Sequence, residues 1–333
     1  FPLLFANFQN ARKLIFLQFS HRMHDIPPYT LVEQGTERLW ADFKKTVRDL
    51  EWTSTDNTVL WATPQLSSTR CICAERISDG SMLGCCVWHE HEGFIWIGFY
   101  ITHPSHKGWG LGTKIWSRAM ERIQPTNKAI GLRAVSKMCN KYKSGATPVE
   151  ISRIKKHLLT VDQMKEFCAR YERPDCCLEL YHEMREDQRD DLRRFDHEIT
   201  GQNRTEWLDK LFASDESQIA VLFKETKVCA YAGVSTVGHP ELNLFKIGPC
   251  FASSVAEFAL LTKWLMQWVE KFPSGAKIIV SILTGSAGER HLAHALGHPI
   301  SDELVTLFSE EFETKMNLDM CYVPNNAHCH FDA

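Results

Sequence analysis

The sequence predicts an α/β protein in which two tandem domains each carry a mixed central sheet with flanking helices. Three observations lead there. The 333 residues exceed a single ordinary domain of about 150 and suit two. Hydrophobic residues make up 44% of the chain, with ten Trp, enough for two packed cores and unlike a disordered chain. The order of strand-like and helix-like segments in the first half recurs in the second although the residues hardly repeat, which predicts a duplicated fold.

The first domain is placed at 25–148. A short strand around Tyr29 to Glu33 leads into a helix with Leu39, Trp40, Phe43 and Val47 on one stripe. Strand-like runs follow at 58–63, 69–76 and 82–89, the last two joined by the turn Ser78-Asp79-Gly80-Ser81. Strand 94–101 enters the segment THPSHKGWGLG and then a helix whose apolar positions Leu111, Ile115, Ala119, Met120 and Ile123 have helical spacing. Strand 128–135 and a short helix ending near Tyr142 complete the domain.

Residues 149–176 read as a connector, and 177–323 as the second domain. Its expected elements are strand 177–184, helices 187–199 and 204–212, and strands 217–223, 227–236 and 242–247. A long helix follows in which Ser254 and Glu257 have capping-box spacing, then strand 277–283, helix 287–296 and strand 303–309.

Charge excludes some functions. The net charge of −3 lacks the basic field of a general nucleic-acid binder, so no nucleic-acid partner is expected. The halves differ in sign: residues 1–150 carry 18 basic and 13 acidic side chains, residues 151–333 carry 20 and 28. No apolar run is long enough for a transmembrane helix, and no membrane partner is expected. The 12 Cys include adjacent pairs and no C-x-x-C, which favours reduced thiols and a cytoplasmic location. The first 24 residues hold Arg12, Lys13 and Arg22 without an acid, so a mitochondrial transit segment is the alternative. His291, His294 and His298, and the tail His328-Cys329-His330, lack the ligand sets of a structural zinc site, and no metal is expected.

The segment Lys107-Gly108-Trp109-Gly110-Leu111-Gly112 carries the chemistry. Glycines between a buried strand and an amphipathic helix let the backbone approach a ligand closely, and N–H groups at the helix start can hold phosphate oxygens. A tight strand-to-helix turn is the purely structural alternative. From Phe94 to Lys143 there are nine Lys or Arg against one acid, Glu121, which favours a polyanionic ligand. The spacing is neither G-x-x-x-x-G-K-[ST] nor a complete G-x-G-x-x-G with its later acidic residue, so two nucleotide-site classes are excluded.

With its preceding strand, its Pro104 and its following helix, YITHPSHKGWGLGTKIW resembles the coenzyme A loop of the GCN5-related N-acetyltransferases. The family pattern is Arg or Gln, two residues, Gly, any residue, then Gly or Ala; here Lys107, Gly110 and Gly112 match it, with Lys replacing Arg or Gln. The resemblance implies two acetyltransferase-like domains in tandem and acetyl-CoA or another acyl-CoA as co-substrate. It also implies a binding set of Tyr100, Ile101, Thr102, Lys107, Gly108, Trp109, Gly110, Leu111, Gly112 and Thr113, with the strand residues meeting the pantetheine arm through their backbone.

Downstream, SKMCNKYKSGATP resembles the family segment whose Tyr protonates the departing thiolate. Tyr142 matches that Tyr, with a surface Tyr as the alternative. No carboxylate lies between Glu92 and Glu121, so the general base is not assigned; His89, Glu90, His91 and Glu92 cluster before the strand, and a position near Trp96 stands where relatives carry a Glu.

The second half resembles the C-terminal acetyltransferase-like domain of two-domain members, on FDHEITGQNRTEWLDKL and LNLFKIGPCFASSVAEFALLTKWL. The pair looks like a nematode family without an assigned substrate. The loop Pro249-Cys250-Phe251-Ala252-Ser253 has no glycine pair and no basic residue, so it is not expected to hold a pyrophosphate. Acyl transfer to a small-molecule or peptide amine is the leading expectation; a catalytically inactive acyl-CoA-binding or interaction protein is the alternative. The acidic second half is expected to attract a cationic amine, with Asp196 and Arg204 as candidate contacts.

Overall fold

The computed structural model describes residues 26–50, 57–237, 240–292, 295–297, 299 and 303–324. Among them, thirteen strands form one sheet. In chain order these are β1 (Tyr29–Val32), β2 (Thr69–Arg76), β3 (Met82–Glu90), β4 (Phe94–Thr102), β5 (Ala129–Val135), β6 (Val149–Thr160) and β7 (Cys177–Leu180), then β8 (Ser217–Lys224), β9 (Lys227–Thr236), β10 (Leu244–Ala252), β11 (Lys277–Leu283), β12 (Leu304–Phe308) and β13 (Cys321–Val323). The helices are α1 (Glu37–Asp49), α2 (Asn57–Ala62), α3 (Leu111–Ile123), α4 (Ser136–Lys143), α5 (Val161–Cys168), α6 (Glu186–Thr200), α7 (Thr205–Phe212), α8 (Val255–Val269) and α9 (Ala287–Leu292).

The spatial order β1-β2-β3-β4-β5-β12-β6-β11-β10-β9-β8-β7, with β13 against β10, shows the duplication and joins its copies. In each half an antiparallel run ends in one parallel pair, β4 with β5 and β10 with β11. The next strand is then exchanged. β12, near the C-terminal end, lies beside β5, and β6 lies beside β11. The two exchanged strands pair with each other antiparallel at the centre.

Besides the strand expected at 177–184, which stops at Leu180 and passes into a 3-10 turn at Tyr181–Glu183, three segments differ from expectation. Residues 149–168 of the connector form the 12-residue β6 and the capped helix α5. Their charges hide the strand: Arg153 and Lys155 point to one face, where Arg153 pairs with Glu150 at 2.6 Å and Glu303 at 2.8 Å, while Lys156 points to the other. Residues 58–63, rich in β-branched side chains, are not a strand but α2 and the start of a 3-10 turn. Thr58, Val59, Leu60 and Ala62 are all buried, and tertiary burial against neighbouring elements outweighs a weak strand propensity. Pro249–Ala252, read as loop, continues β10 and pairs with β9 and β13.

The sheet has two unlike faces. On one, α3 covers Ile72, Leu83, Ile95, Ile97 and Leu132, and α8 covers a separate core with Ala220, Leu222, Phe245 and Val280. On the other, α1, α2, α6 and α7 enclose a single core that runs from Leu39, Phe43 and Phe99 through Ile154, Leu283 and Leu304 to Trp207, Tyr231 and Phe251. Polar contacts cross the same join: Asn57 Nδ2 donates to Thr236 Oγ1 at 3.0 Å, and Glu206 accepts from Ser67 N at 2.8 Å and Ser67 Oγ at 2.6 Å. No helix among the described residues is long and apolar enough to cross a membrane.

Candidate active site

The site starts where β4 and β5 part. Their parallel ladder runs from Phe94↔Ala129 to Ile97↔Leu132 and stops. At the same level β4 shifts register against β3, which pairs Trp88 with Ile97 and Val87 with Phe99, so Gly98 is the extra residue of a bulge. Beyond it Tyr100, Ile101 and Thr102 stay paired with β3, while β5 turns toward β12.

After β4 the chain makes a 3-10 turn at Pro104–His106, and Lys107 follows, exposed. Gly108 has φ +87° and Gly110 φ +78°, the left-handed region that favours glycine. Around both, an added Cβ would meet nothing within 4 Å. Gly110 is the N-cap of α3 and offers no side chain to it, so the N–H groups of Leu111, Gly112 and Thr113 lack the cap that closes most helix starts. Gly112 has a different reason: its Cβ would lie 2.7 Å from Tyr100 Oη and 3.0 Å from Thr102 Oγ1. Its absence lets the first turn of α3 sit against β4. Trp109 packs beside His106 at 4.9 Å. Leu111 and Ile101 are buried in cores on opposite faces, and Thr113 is exposed.

Tyr100, Trp116 and Tyr142 form an aromatic chain, with centroids 5.2 Å and 5.6 Å apart. This links β4, α3 and α4. Burial pushes the Tyr100 phenol up to about 12. Burial, with smaller contributions from Tyr100 and Cys86, raises Tyr142 further, so the Tyr142 hydroxyl keeps its proton throughout the physiological range.

The clustered bases lie at the other end of β4, about 25 Å along an eight-step strand from the glycine turn. His89 is 0% exposed and its Nδ1 meets Thr69 Oγ1 at 3.2 Å. Glu90 pairs with Arg70, Glu92 is exposed, and burial lowers His91 to about 4. Trp96 is 0% exposed with the Arg133 guanidinium over its ring at 5.5 Å. Of the nine cations counted along the stretch, Arg118 and Arg122 bind Glu33, Lys143 binds Glu150 and Lys128 donates to the His91 carbonyl. Besides Arg133 on β5, that leaves Lys107, Lys114, Lys137 and Lys141 on the α3 and α4 side, for which no ion pair is seen among the described residues.

In the second half the corresponding helix start is closed from within. Ser254 Oγ accepts from Glu257 N at 3.3 Å, the position that matches Thr113 N, and the Glu257 carboxylate accepts from Ser253 N at 2.8 Å and Ser254 N at 3.0 Å, just before α8. Among the described residues one group has donor atoms close enough for a metal ion, Cys176, Cys229 and Glu257, a set that the His spacings did not point to. Its thiols lie 3.8 Å apart. His291 stacks on Tyr322; His294, His298 and the tail 328–330 lie outside the described residues. The eleven described Cys are free thiols.

An uncharacterized protein of Caenorhabditis elegans is 30% identical over 312 residues, covering 91% of this chain and 98% of that one. The chain belongs to this nematode family. No family model matches. A tandem GCN5-related N-acetyltransferase protein from the clavulanic acid biosynthesis pathway superposes with a TM-score of 0.62 at 12% identity, over 86% of this chain and all of that one. A GCN5-related N-acetyltransferase of Sphaerobacter thermophilus gives 0.54 at 13%, over 90% of this chain and all of that one. The family fold is therefore the tandem GCN5-related acetyltransferase fold.

Proposed function

We propose that the chain is an acyl-CoA-dependent N-acyltransferase whose first half holds the co-substrate, with acetyl-CoA as its acyl donor. The observation that carries this reading is the glycine-lined, uncapped start of α3 beside the β4–β5 gap. Open space around Gly108 and Gly110 gives a pyrophosphate access to backbone N–H groups of a 13-residue helix, and an anion there gains from the helix dipole. Lys107, Trp109 and Thr113 border this start. The backbone of Tyr100, Ile101 and Thr102 would lie along a pantetheine arm. When bound, the co-substrate supplies a thioester carbonyl to an amine.

Tyr142 then acts on the proton balance. Its phenol, which burial keeps protonated at rest, would pass its proton to the departing thiolate, and the phenolate left behind would recover a proton from the ammonium that amine attack produces. Tyr142→Phe should lower kcat on the order of tenfold to a hundredfold with acyl-CoA affinity unchanged. For the same reason the wild-type pH profile should show no alkaline decline from this group below about pH 10. Steady-state kinetics of the two proteins check both points; equal kcat removes Tyr142 from the mechanism. The absence of a carboxylate on the exposed part of β4 favours a second reading, an acyl-CoA binder without turnover. Calorimetry with acetyl-CoA together with release of free thiol distinguishes them: binding without thiol release for any amine supports the second.

A further inference from the structure

A second cluster lies at the start of α8, away from the candidate active site. Cys176 stands just before β7, Cys229 on β9 and Glu257 in the first turn of α8, and their donor atoms all lie within 4.8 Å of one another. The pairing of β8 with β9 passes from Leu222↔Ala230 to Phe223↔Val228, which makes Cys229 the extra residue of a bulge. A bulge re-aims the side chain it carries. Ser253 Oγ, at the entry to α8, donates to the Cys229 carbonyl at 3.2 Å, so bulge and helix start are already tied together. Cys176 sits in a tight turn, its N–H donating to the Pro174 carbonyl at 2.9 Å. Three segments distant in the chain thus deliver one donor atom each.

The spacing suits zinc. The two thiols are 3.8 Å apart, and two thiolates each about 2.3 Å from a tetrahedral zinc also stand about 3.8 Å apart. A carboxylate oxygen about 2.0 Å from the same ion would lie about 3.5 Å from each sulfur, a shift of about 1.3 Å at most from the spacing here. Glu257 is 8% exposed and forms no ion pair among the described residues. Its bonds from Ser253 N and Ser254 N both fall on Oε2, so the backbone leaves Oε1 to the thiols. Buried carboxylates are ordinarily paired or bound to a metal. Helix capping accounts for one oxygen of Glu257 and for neither sulfur. The thiols are half-buried whereas Glu257 is buried, so solvent can supply a fourth ligand.

We propose that Cys176, Cys229 and Glu257 bind one zinc ion, with a water in the fourth position. Thiolates select soft or borderline ions, and the carboxylate favours zinc over copper(I). On binding, each thiol releases its proton to solvent, so one zinc replaces two protons. The ion would fasten the start of α8 to the β9 bulge and to the turn before β7, at the helix end that in the first half stands open beside the glycine turn. This departs from the expectation, drawn from the histidine spacings, that no metal is held, and it does not rest on the acyl-transfer reading.

The test uses the full chain, reduced with a phosphine, stripped of metal by a chelator and titrated with cobalt(II) without oxygen. One equivalent should give thiolate-to-cobalt charge-transfer absorption in the near ultraviolet and tetrahedral d–d bands in the visible, and one equivalent of zinc should erase both. Cys176→Ser and Cys229→Ser should each weaken cobalt binding on the order of a hundredfold or more. Glu257→Gln keeps an oxygen for the backbone N–H groups and should weaken it on the order of tenfold. Cys139→Ser and Cys177→Ser, which alter thiols outside the cluster, should bind as the wild type does. In the wild-type chain, alkylation followed by peptide mapping should find Cys176 and Cys229 protected by zinc and Cys177 modified with or without it. No stoichiometric cobalt uptake by the folded wild-type chain, a charge-transfer band that persists in both Cys176→Ser and Cys229→Ser, or a band that depends on Cys139 or Cys177 instead, overturns the proposal.

Discussion

Asp196→Ala should destabilise the chain by about 3–5 kcal/mol, the largest stability effect expected of a single polar substitution here. Asp196 on α6 is 0% exposed and Arg204, at the start of α7, is 2% exposed. Arg204 Nε donates to Asp196 Oδ2 at 2.9 Å and its Nη2 to Oδ1 at 2.5 Å. The Tyr231 hydroxyl on β9 donates to the same carboxylate, and the guanidinium lies over the Phe251 ring on β10 at 5.6 Å. Removing the carboxylate takes from the desolvated guanidinium both of the charge-assisted hydrogen bonds that Asp196 gives it. Replacing both ions removes both desolvation costs, so the double variant Asp196→Leu with Arg204→Met should recover much of the loss. Urea unfolding of the three proteins measures this. A midpoint for Asp196→Ala equivalent to less than about 1 kcal/mol of change would show that the pair does not hold the fold. The sequence offered these residues as candidates for an interdomain or a substrate contact; the structure buries them against Tyr231 and Phe251 as the polar centre of a core.

Gly110→Val should lower acyl-CoA affinity on the order of a hundredfold or more by placing a branched side chain where backbone approach is needed. The fold has room for the new atoms, since nothing lies within 4 Å of the Cβ position. The backbone at φ +78° adds a conformational cost of about 1–2 kcal/mol. Gly275→Val serves as the control. Gly275 has φ +86°, also opens onto free space and lies before β11 rather than at α3, so it carries similar strain without touching the candidate loop. Calorimetry should find one acetyl-CoA per wild-type chain, one for Gly275→Val and weak or no binding for Gly110→Val. Two per chain, or full binding by a folded Gly110→Val, would refute the single site and its location, because the start of α8 is closed by its own capping box of Ser254 and Glu257.

Local pattern carried much of this. The alternation of β3 and β4, the stripe of α3 and the glycines of Lys107–Gly112 each express a constraint on neighbouring residues, and such constraints are written in consecutive letters. The capping box of α8 was legible for the same reason. Tyr142 was singled out through its motif, but its contact with Trp116 depends on how α4 meets α3. What only the tertiary structure decided is the join. That β12 pairs with β5, that β6 pairs with β11, and that one core spans both halves depend on pairings between residues 117 (Lys277 with Thr160) to 177 (Phe308 with Gly131) positions apart along the chain, which no short window encodes. β6 itself gave no sign, because charges on both of its faces erase the period-two pattern by which a strand is read. The sequence by itself therefore determined most of the elements and the glycine turn before α3, and the exchange of strands determined which side chains face each other across them.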